Sequence, residues 1–172
     1  DVFIVHARNA WLKGLSPKDN REVPPLRYKW VYELKRDFPH LVFVINGGIT
    51  NSVQVEQHLQ QVDGVMLGRE AYHNPWWLSE WDDQFFPLDQ SRAIQGSSAP
   101  KTRELVEQHM VDYMQRQLLE KNVPWPSIAR HMLGLRHGLP GARRWRQVWS
   151  DHKLKHLPPQ EVMRIAHGAT AD

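Results

Sequence analysis

The chain has 172 residues, 41% of them hydrophobic, which is enough for a packed core in one or two domains. It contains no cysteine, which excludes disulfides, thiolate metal sites and cysteine chemistry within these residues, and no apolar run approaches the length of a transmembrane helix. The net charge of +3 divides unevenly: nine Lys+Arg against twelve Asp+Glu in residues 1–90 (net −3) and thirteen against seven in residues 91–172 (net +6), so the second part is the expected partner of a polyanion.

The first predicted strand is Val2-Phe3-Ile4-Val5, which ends in the polar tip His6-Ala7-Arg8. A loop from Asn9 to Val23 follows, carrying Lys13, Lys18, Asn20 and Arg21 around Gly14 and Pro17. It is longer than a routine strand-to-helix connection, and such loops tend to carry function. Pro24-Pro25 closes it and opens a helix expected to pack through Trp30, Val31, Leu34 and Phe38, with Pro39-His40 as its stop.

The centre of the pattern is Leu41-Val42-Phe43-Val44-Ile45, stopped by Asn46-Gly47-Gly48. Five consecutive apolar residues, three of them β-branched, predict a strand buried on both faces, as in a parallel sheet. Thr50 or Asn51 caps the next helix, whose Val55, Leu59 and Val62 fall on one face, and Gly64-Val65-Met66-Leu67 forms a third strand ending in Gly68-Arg69. Polar and glycine residues thus gather where strands end, the position at which β/α sheets and barrels bind ligands. Gly47, Gly48 and Gly68 leave backbone N–H groups uncovered, and Arg69 offers a planar cationic fork that matches phosphate. Either tip alone is as well explained by tight turns and an Arg69 paired with a surface carboxylate; two tips on successive strands favour a phosphate cradle.

Beyond Arg69, Asn74-Pro75 breaks the chain and Trp76, Trp77, Leu78 and Trp81 pack a short helix, before a Ser/Gly/Pro-rich linker from Asp89 to Pro100. The expected organisation is a β/α part at 1–88, a linker at 89–101 and a helical domain at 102–172. In the last, Val106, Met110, Tyr113 and Met114 form one stripe and Ile128, Met132 and Leu135 a second after Trp125-Pro126; Trp145, Val148 and Trp149 mark a third helix, and Val162, Met163 and Ile165 a fourth after Pro158-Pro159. These predict a small helical bundle. Arg130, Gly134 and His137 share another side of the second helix, where Gly134 is expected to admit a partner's backbone. Residues 121–164 hold nine basic against two acidic residues. A solvated basic face is the commoner meaning of such a run, but helix-borne charge beside glycine, with a second basic group in the long loop, favours nucleic acid. The histidines lack metal-ligand spacing, so no metal is expected.

Phe3-Ile4-Val5-His6-Ala7-Arg8, the segment from Leu15 to Leu26, Ile45-Asn46-Gly47-Gly48-Ile49, Asp63-Gly64-Val65-Met66-Leu67-Gly68-Arg69 and Arg130-His131-Met132-Leu133-Gly134-Leu135 together resemble the carboxyl-terminal half of tRNA-dihydrouridine synthases, most closely the A subfamily, which modifies the D-loop around positions 20 and 20a. The resemblance implies an α/β fold: the last three βα units of a TIM barrel, incomplete here, followed by a small all-α bundle that binds tRNA. It implies an FMN-dependent, cytoplasmic oxidoreductase that reduces the C5–C6 double bond of tRNA uridines with NADPH. It makes His6 and Arg8 residues of the flavin site, with flavin or the target base as the partner of Arg8, Asn46-Gly47-Gly48 the flavin-phosphate loop, and Gly68-Arg69 the second phosphate contact. Lys18 and Arg21 match tRNA-engaging loop positions, and Arg130, Arg136 and His137 lie on the matching face of the helical domain. Arg136 departs from the family, which usually has an aromatic residue there.

The family's catalytic cysteine has no counterpart in this chain, which is expected to be a fragment without independent catalysis. Two other readings remain at this point: a non-catalytic tRNA-binding module, and an FMN barrel oxidoreductase acting on a free small molecule, for which the basic bundle would have no purpose. Oligomeric state is left open by the sequence.

Overall fold

The computed structural model describes residues 1–85 and 102–168. The chain separates into two compact units, Asp1–Glu70 and Ala71–Asp172. The linker expected over 89–101 lies outside the described residues. Residues 71–85, part of the stretch expected to continue the β/α part as far as residue 88, cluster with the second unit, where Trp76 packs on the hydrophobic core.

In the first unit, strands β1 (Val2–His6), β2 (Val42–Asn46) and β3 (Gly64–Met66) form a parallel sheet in the order β1-β2-β3. Helices α1 (Tyr28–Asp37) and α2 (Ser52–Leu59) make the two connections. Asn51 is the residue that caps α2, its side chain accepting the N–H of Gln54. The side chains of β2 alternate: Phe43 and Ile45 are buried, as are Val31 of α1, Val55 of α2 and Val62. On the opposite side Val2 is 65% exposed, Ile4 61% and Val42 39%. The expectation of a central strand buried on both faces therefore holds for one face only, because α1 and α2 supply the apolar cover and both connect on the Phe43–Ile45 side.

Helix α1 is also rotated from its predicted packing. Val31 is buried and Tyr28, Tyr32 and Lys35 are half-buried, whereas Trp30, Leu34 and Phe38 are exposed. Lys35 explains part of this: its ammonium donates to the carbonyls of Pro39 and Leu41 and pairs with Asp63 at 2.9 Å, while Asp63 also accepts the N–H of Phe43. On α2, His58 rather than Leu59 takes the inner position, hydrogen-bonded through Nδ1 to the Tyr32 hydroxyl at 2.7 Å and edge-on to Tyr28.

The regular elements described in the second unit are helices: α3 (Arg69–His73, which begins in the first unit), α4 (Trp81–Phe85), α5 (Arg103–Lys121), α6 (Trp125–Ala129), α7 (Ala142–Trp149) and α8 (Pro159–Ala166). Thr102 caps α5 through the N–H of Leu105, and Asn122 ends it in the left-handed conformation. The core is Val111, Met114, Trp125, Ala129, Met132, Leu135, Trp145, Trp149, Val162 and Ala166. Into it projects Glu107, wholly buried, whose carboxylate accepts from the indole N–H groups of Trp145 (2.7 Å) and Trp149 (3.0 Å) and pairs with Arg136 (3.4 Å) and His167 (2.9 Å). The inner stripe of α5 is thus Glu107, Val111 and Met114, while the predicted Val106 and Tyr113 are exposed.

Helix α6 stops at Ala129, and residues 130–139 run as successive turns, so Arg130, Gly134 and His137 do not share a helix face. Gly134 does admit a backbone at close range, but it is the chain's own: the His73 carbonyl lies where a Cβ would stand.

Candidate functional site

Because β1, β2 and β3 are parallel and in register at His6, Asn46 and Met66, their carboxyl ends emerge on one edge of the sheet. There the Ala7 N–H donates to the Asn46 carbonyl at 2.8 Å, bringing the first two tips together. Gly47 and Gly48 follow with φ of 124° and 70°, values that L side chains rarely adopt. Space is as restrictive as conformation: a Cβ on Gly47 would stand 3.2 Å from Cε1 of His6, and both glycines would press on Leu26. The turn is held from below by the Tyr28 hydroxyl, which donates to the Gly47 carbonyl at 2.8 Å. Gly68, at the third tip, has open space where a side chain would be.

Two arginines and a histidine border this edge. Arg8 turns back on the long loop, donating to the carbonyls of Glu22 and Pro24, while its Nε is buried without a hydrogen-bond partner. Arg69 is 52% exposed and pairs with Glu22 at 3.0 Å, with a longer bond to the carbonyl of Arg21. His6 lies near both arginines. Partial burial, and then the charges of Arg8 and Arg69, hold its imidazole below the ordinary histidine value, which favours the neutral ring.

The loop that brings Glu22 to Arg69 is locally ordered by its own polar groups. Trp11 and Asn20 exchange two bonds, the Trp11 N–H to Oδ1 at 2.8 Å and Nδ2 to the Trp11 carbonyl at 3.0 Å. Ser16 and Asp19 cap each other across the turn before Asp19–Arg21. A bridge between Arg8 and Leu26 closes the base. Lys18 and Arg21 are exposed on this loop.

Of the residues singled out from sequence, His6, Arg8, Asn46, Gly47, Gly48, Gly68 and Arg69 thus belong to one edge of the first unit. The carboxylate considered as a bland partner for Arg69 is present as Glu22. An exposed pair of this kind contributes about 0–1 kcal/mol, so an arriving dianion can displace it. Tyr28, Leu26 and Glu22 complete the edge. Their place follows from the antiparallel bridge at Leu26, which local periodicity does not foreshadow.

In the second unit Arg130 and His137 are exposed, as are Arg143, Arg144 and Arg146 on α7. Arg136 is 17% exposed and holds Glu104 at 3.1 Å as well as Glu107, so its charge is taken up by the fold. Arg130 is instead braced in a closed circuit. Its Nε donates to Nε2 of His131 at 3.0 Å, leaving Nδ1 to carry the proton towards the Tyr72 hydroxyl at 3.0 Å, and that hydroxyl donates to the Arg130 carbonyl. Local pattern gives no sign of Tyr72 in this circuit, because its bonds to Arg130 and His131 link residues 58 and 59 positions apart.

Among the described residues no group of three or more His, Asp or Glu side chains is placed to hold a metal ion, and no helix is long and apolar enough to cross a membrane.

The profile of the Dihydrouridine synthase (Dus) family matches residues 1–168. Among similar proteins are tRNA-dihydrouridine(20/20a) synthases of Vibrio cholerae (46% identical, covering 96% of this chain and 48% of the relative), Shewanella oneidensis (48% identical, 96% and 47%) and Escherichia coli K12 (49% identical, 100% and 47%). The chain spans about half the length of the curated relatives it matches. With identity of this order running through both units, the chain belongs to the dihydrouridine synthase family.

Proposed function

We propose that this chain forms the flavin-phosphate end and the RNA-gripping helical part of a tRNA-dihydrouridine synthase that reduces D-loop uridines around positions 20 and 20a. The observation that carries the reading is the convergence of the Gly47-Gly48 turn, His6, Arg8 and Arg69 on one edge of a parallel sheet, within a chain of this family.

These residues suit a flavin phosphate. Two glycines at positive φ leave backbone N–H groups clear of side chains, and Arg69 is held only by an exposed ion pair. Gly47, Gly48 and Arg69 would hold the phosphate, with Asn46 and Gly68 at the ends of the strands that frame it. FMN, recharged by NADPH, would supply hydride to C6 of the uracil ring. His6, neutral at physiological pH, borders that site without adding a third positive charge, and Arg8 stiffens the loop above it. The proton for C5 comes from a cysteine in the family's reaction, and these residues contain none, so by themselves they bind and position. The exposed face of Val2, Ile4 and Val42 agrees with this division, because in a closed barrel that face is the interior filled by the other strands.

Lys18, Arg21, Arg130 and His137 are the residues proposed to meet tRNA, whose phosphates they would neutralise with a steep dependence on salt. Arg136, paired with Glu104 and Glu107, is assigned to holding the helical unit together. A soluble cytoplasmic setting follows from a tRNA substrate.

The experiment is a pair of substitutions in the full-length protein. Arg69→Ala is expected to lower the flavin absorbance retained after purification, whereas Arg21→Ala retains flavin and lowers dihydrouridine formed in unmodified tRNA. Equal loss of flavin in both variants refutes the assignment.

A further inference from the structure

The second unit contains a groove of about 340 Å³ whose lining includes Trp125, Ser127, Arg130, Trp149, Asp151 and His152. We infer that it receives one unpaired nucleotide of the bound RNA, its base between the Ser127 and Asp151–His152 sides and its phosphate on Arg130. The inference rests on the RNA-binding reading above and adds to it a site that discriminates single-stranded from paired RNA.

Size, polarity and charge carry the argument. Ligand clefts begin at about 300 Å³, so the groove admits a single nucleotide-sized group and excludes a duplex, which proteins meet across a broad surface. Its floor is apolar, with the nearly buried edges of Trp125 and Trp149. Its rim combines acceptors and donors, as the edge of an unpaired base requires. Asp151 accepts the Lys153 N–H through Oδ1, leaving further acceptor capacity. The Ser127 hydroxyl gives its proton to the Pro124 carbonyl and presents lone pairs. His152 is exposed at the start of the turn His152–Leu154.

Arg130 stands at the same groove in a fixed attitude, because the His131–Tyr72 circuit engages its Nε and leaves the outer guanidinium nitrogens for a phosphate. The exposed arginines 143, 144 and 146 lie on the helix that ends at Trp149, and Lys153 and Lys155 follow directly. With Arg130 in its lining and Arg146 and Lys153 close in sequence to the lining residues Trp149–His152, the groove suits a polyanionic chain rather than a neutral metabolite.

The test compares a short single-stranded oligouridylate, a blunt RNA duplex and unmodified tRNA as ligands of the wild-type protein and of R130Q, H152A and the control R116Q, which removes one exposed charge on α5 away from the groove. R130Q and H152A are each expected to weaken oligouridylate binding about tenfold, the scale of one lost contact, and to change duplex binding no more than R116Q does. A 4-thiouridine probe is expected to cross-link to the peptides containing residues 125–133 or 149–152. Equal losses for oligouridylate and duplex, losses matched by R116Q, or cross-links confined to other peptides would overturn the groove assignment while tRNA binding stands. Failure of the wild-type protein to bind any of the three RNAs would overturn the RNA reading itself.

Discussion

The carbonyl of His73 occupies the space that a side chain on Gly134 would need: an added Cβ would stand 2.8 Å from the carbonyl carbon and 2.8 Å from Cδ of Pro75. Neither obstacle is the free end of a flexible side chain, so the strain must be met by moving backbone. Gly134→Ala is expected to destabilise the helical unit by about 1–3 kcal/mol, the usual cost of overpacking a tight site. Urea denaturation followed by tryptophan fluorescence measures it. RNA affinity per folded molecule should be unchanged, since the glycine serves the chain's own packing rather than a partner's.

Glu107 presents the opposite case, a charged side chain wholly buried in the core. Its carboxylate answers two indoles, a guanidinium and an imidazole. Glu107→Leu is expected to cost about 3–5 kcal/mol, because it strands buried donors and leaves Arg136 with Glu104 alone. Glu107→Gln keeps the Oε1 acceptor that serves both indoles and replaces only the oxygen that meets Arg136 and His167, so it should lose less. Thermal melting of the two variants, read against wild type, checks the order.

These two residues also mark what local pattern can and cannot reveal. Short apolar runs that end in polar or glycine tips suffice to locate β1, β2 and β3, since each run is long enough for a strand and each tip marks where it stops. The inner face of α1 escapes such reading because Tyr28, Tyr32 and Lys35 bury their stems while their polar ends find Gly47, His58 and Asp63. Glu107 escapes it more completely: its partners Trp145, Trp149 and His167 lie 38, 42 and 60 residues away. The ion pairs of Arg136 escape it for the same reason, since both of its carboxylates arrive from α5. The family's motif singles out Arg69, whereas its partner Glu22, 47 residues away, is set by the folded loop.

Two histidines give the first unit a pH dependence of definite sign. Burial lowers the His58 imidazole from its ordinary value, and burial followed by Arg8 and Arg69 lowers that of His6. The unfolded chain therefore takes up protons before the folded one as pH falls through about 6.5, and stability present above that pH declines until the folded groups are themselves protonated. Asp63 and Glu104 are depressed carboxylates, so their contributions persist above the ordinary carboxylate range and fade as pH falls below it. Urea midpoints measured from about pH 8 to 5 should fall in wild type and fall less in His58→Phe, with the carboxylate effects appearing only at lower pH.

Glu22 competes with any anion for Arg69, and their exposed pairing at 3.0 Å sets the strength of that competition. Glu22→Gln releases the guanidinium at a cost to stability of about 0–1 kcal/mol. Flavin retention in the full-length protein is expected to rise, by less than about tenfold, and to become more sensitive to salt as a free cation meets a phosphate. Isothermal titration with FMN at two ionic strengths measures both effects. Unchanged affinity at both would show that Arg69 takes no part in holding the phosphate.

Tyr28 and Tyr32 stand on either side of His58 and separate stability from site geometry. Tyr28 donates to the Gly47 carbonyl at 2.8 Å, fixing the turn in which two successive residues hold positive φ, whereas Tyr32 bonds only to the His58 ring. Replacing either by phenylalanine removes one hydroxyl and one hydrogen bond, so both variants should lose about 0.5–1.5 kcal/mol of stability. Only Tyr28→Phe frees the Gly47 peptide to reorient, and with it the N–H groups proposed to meet the flavin phosphate. Flavin affinity in the full-length protein should therefore fall in Tyr28→Phe and hold in Tyr32→Phe, although their urea midpoints match. Parallel losses of flavin would mean that the turn responds to general loosening of the unit and that the bond from Tyr28 has no special part in shaping the cradle.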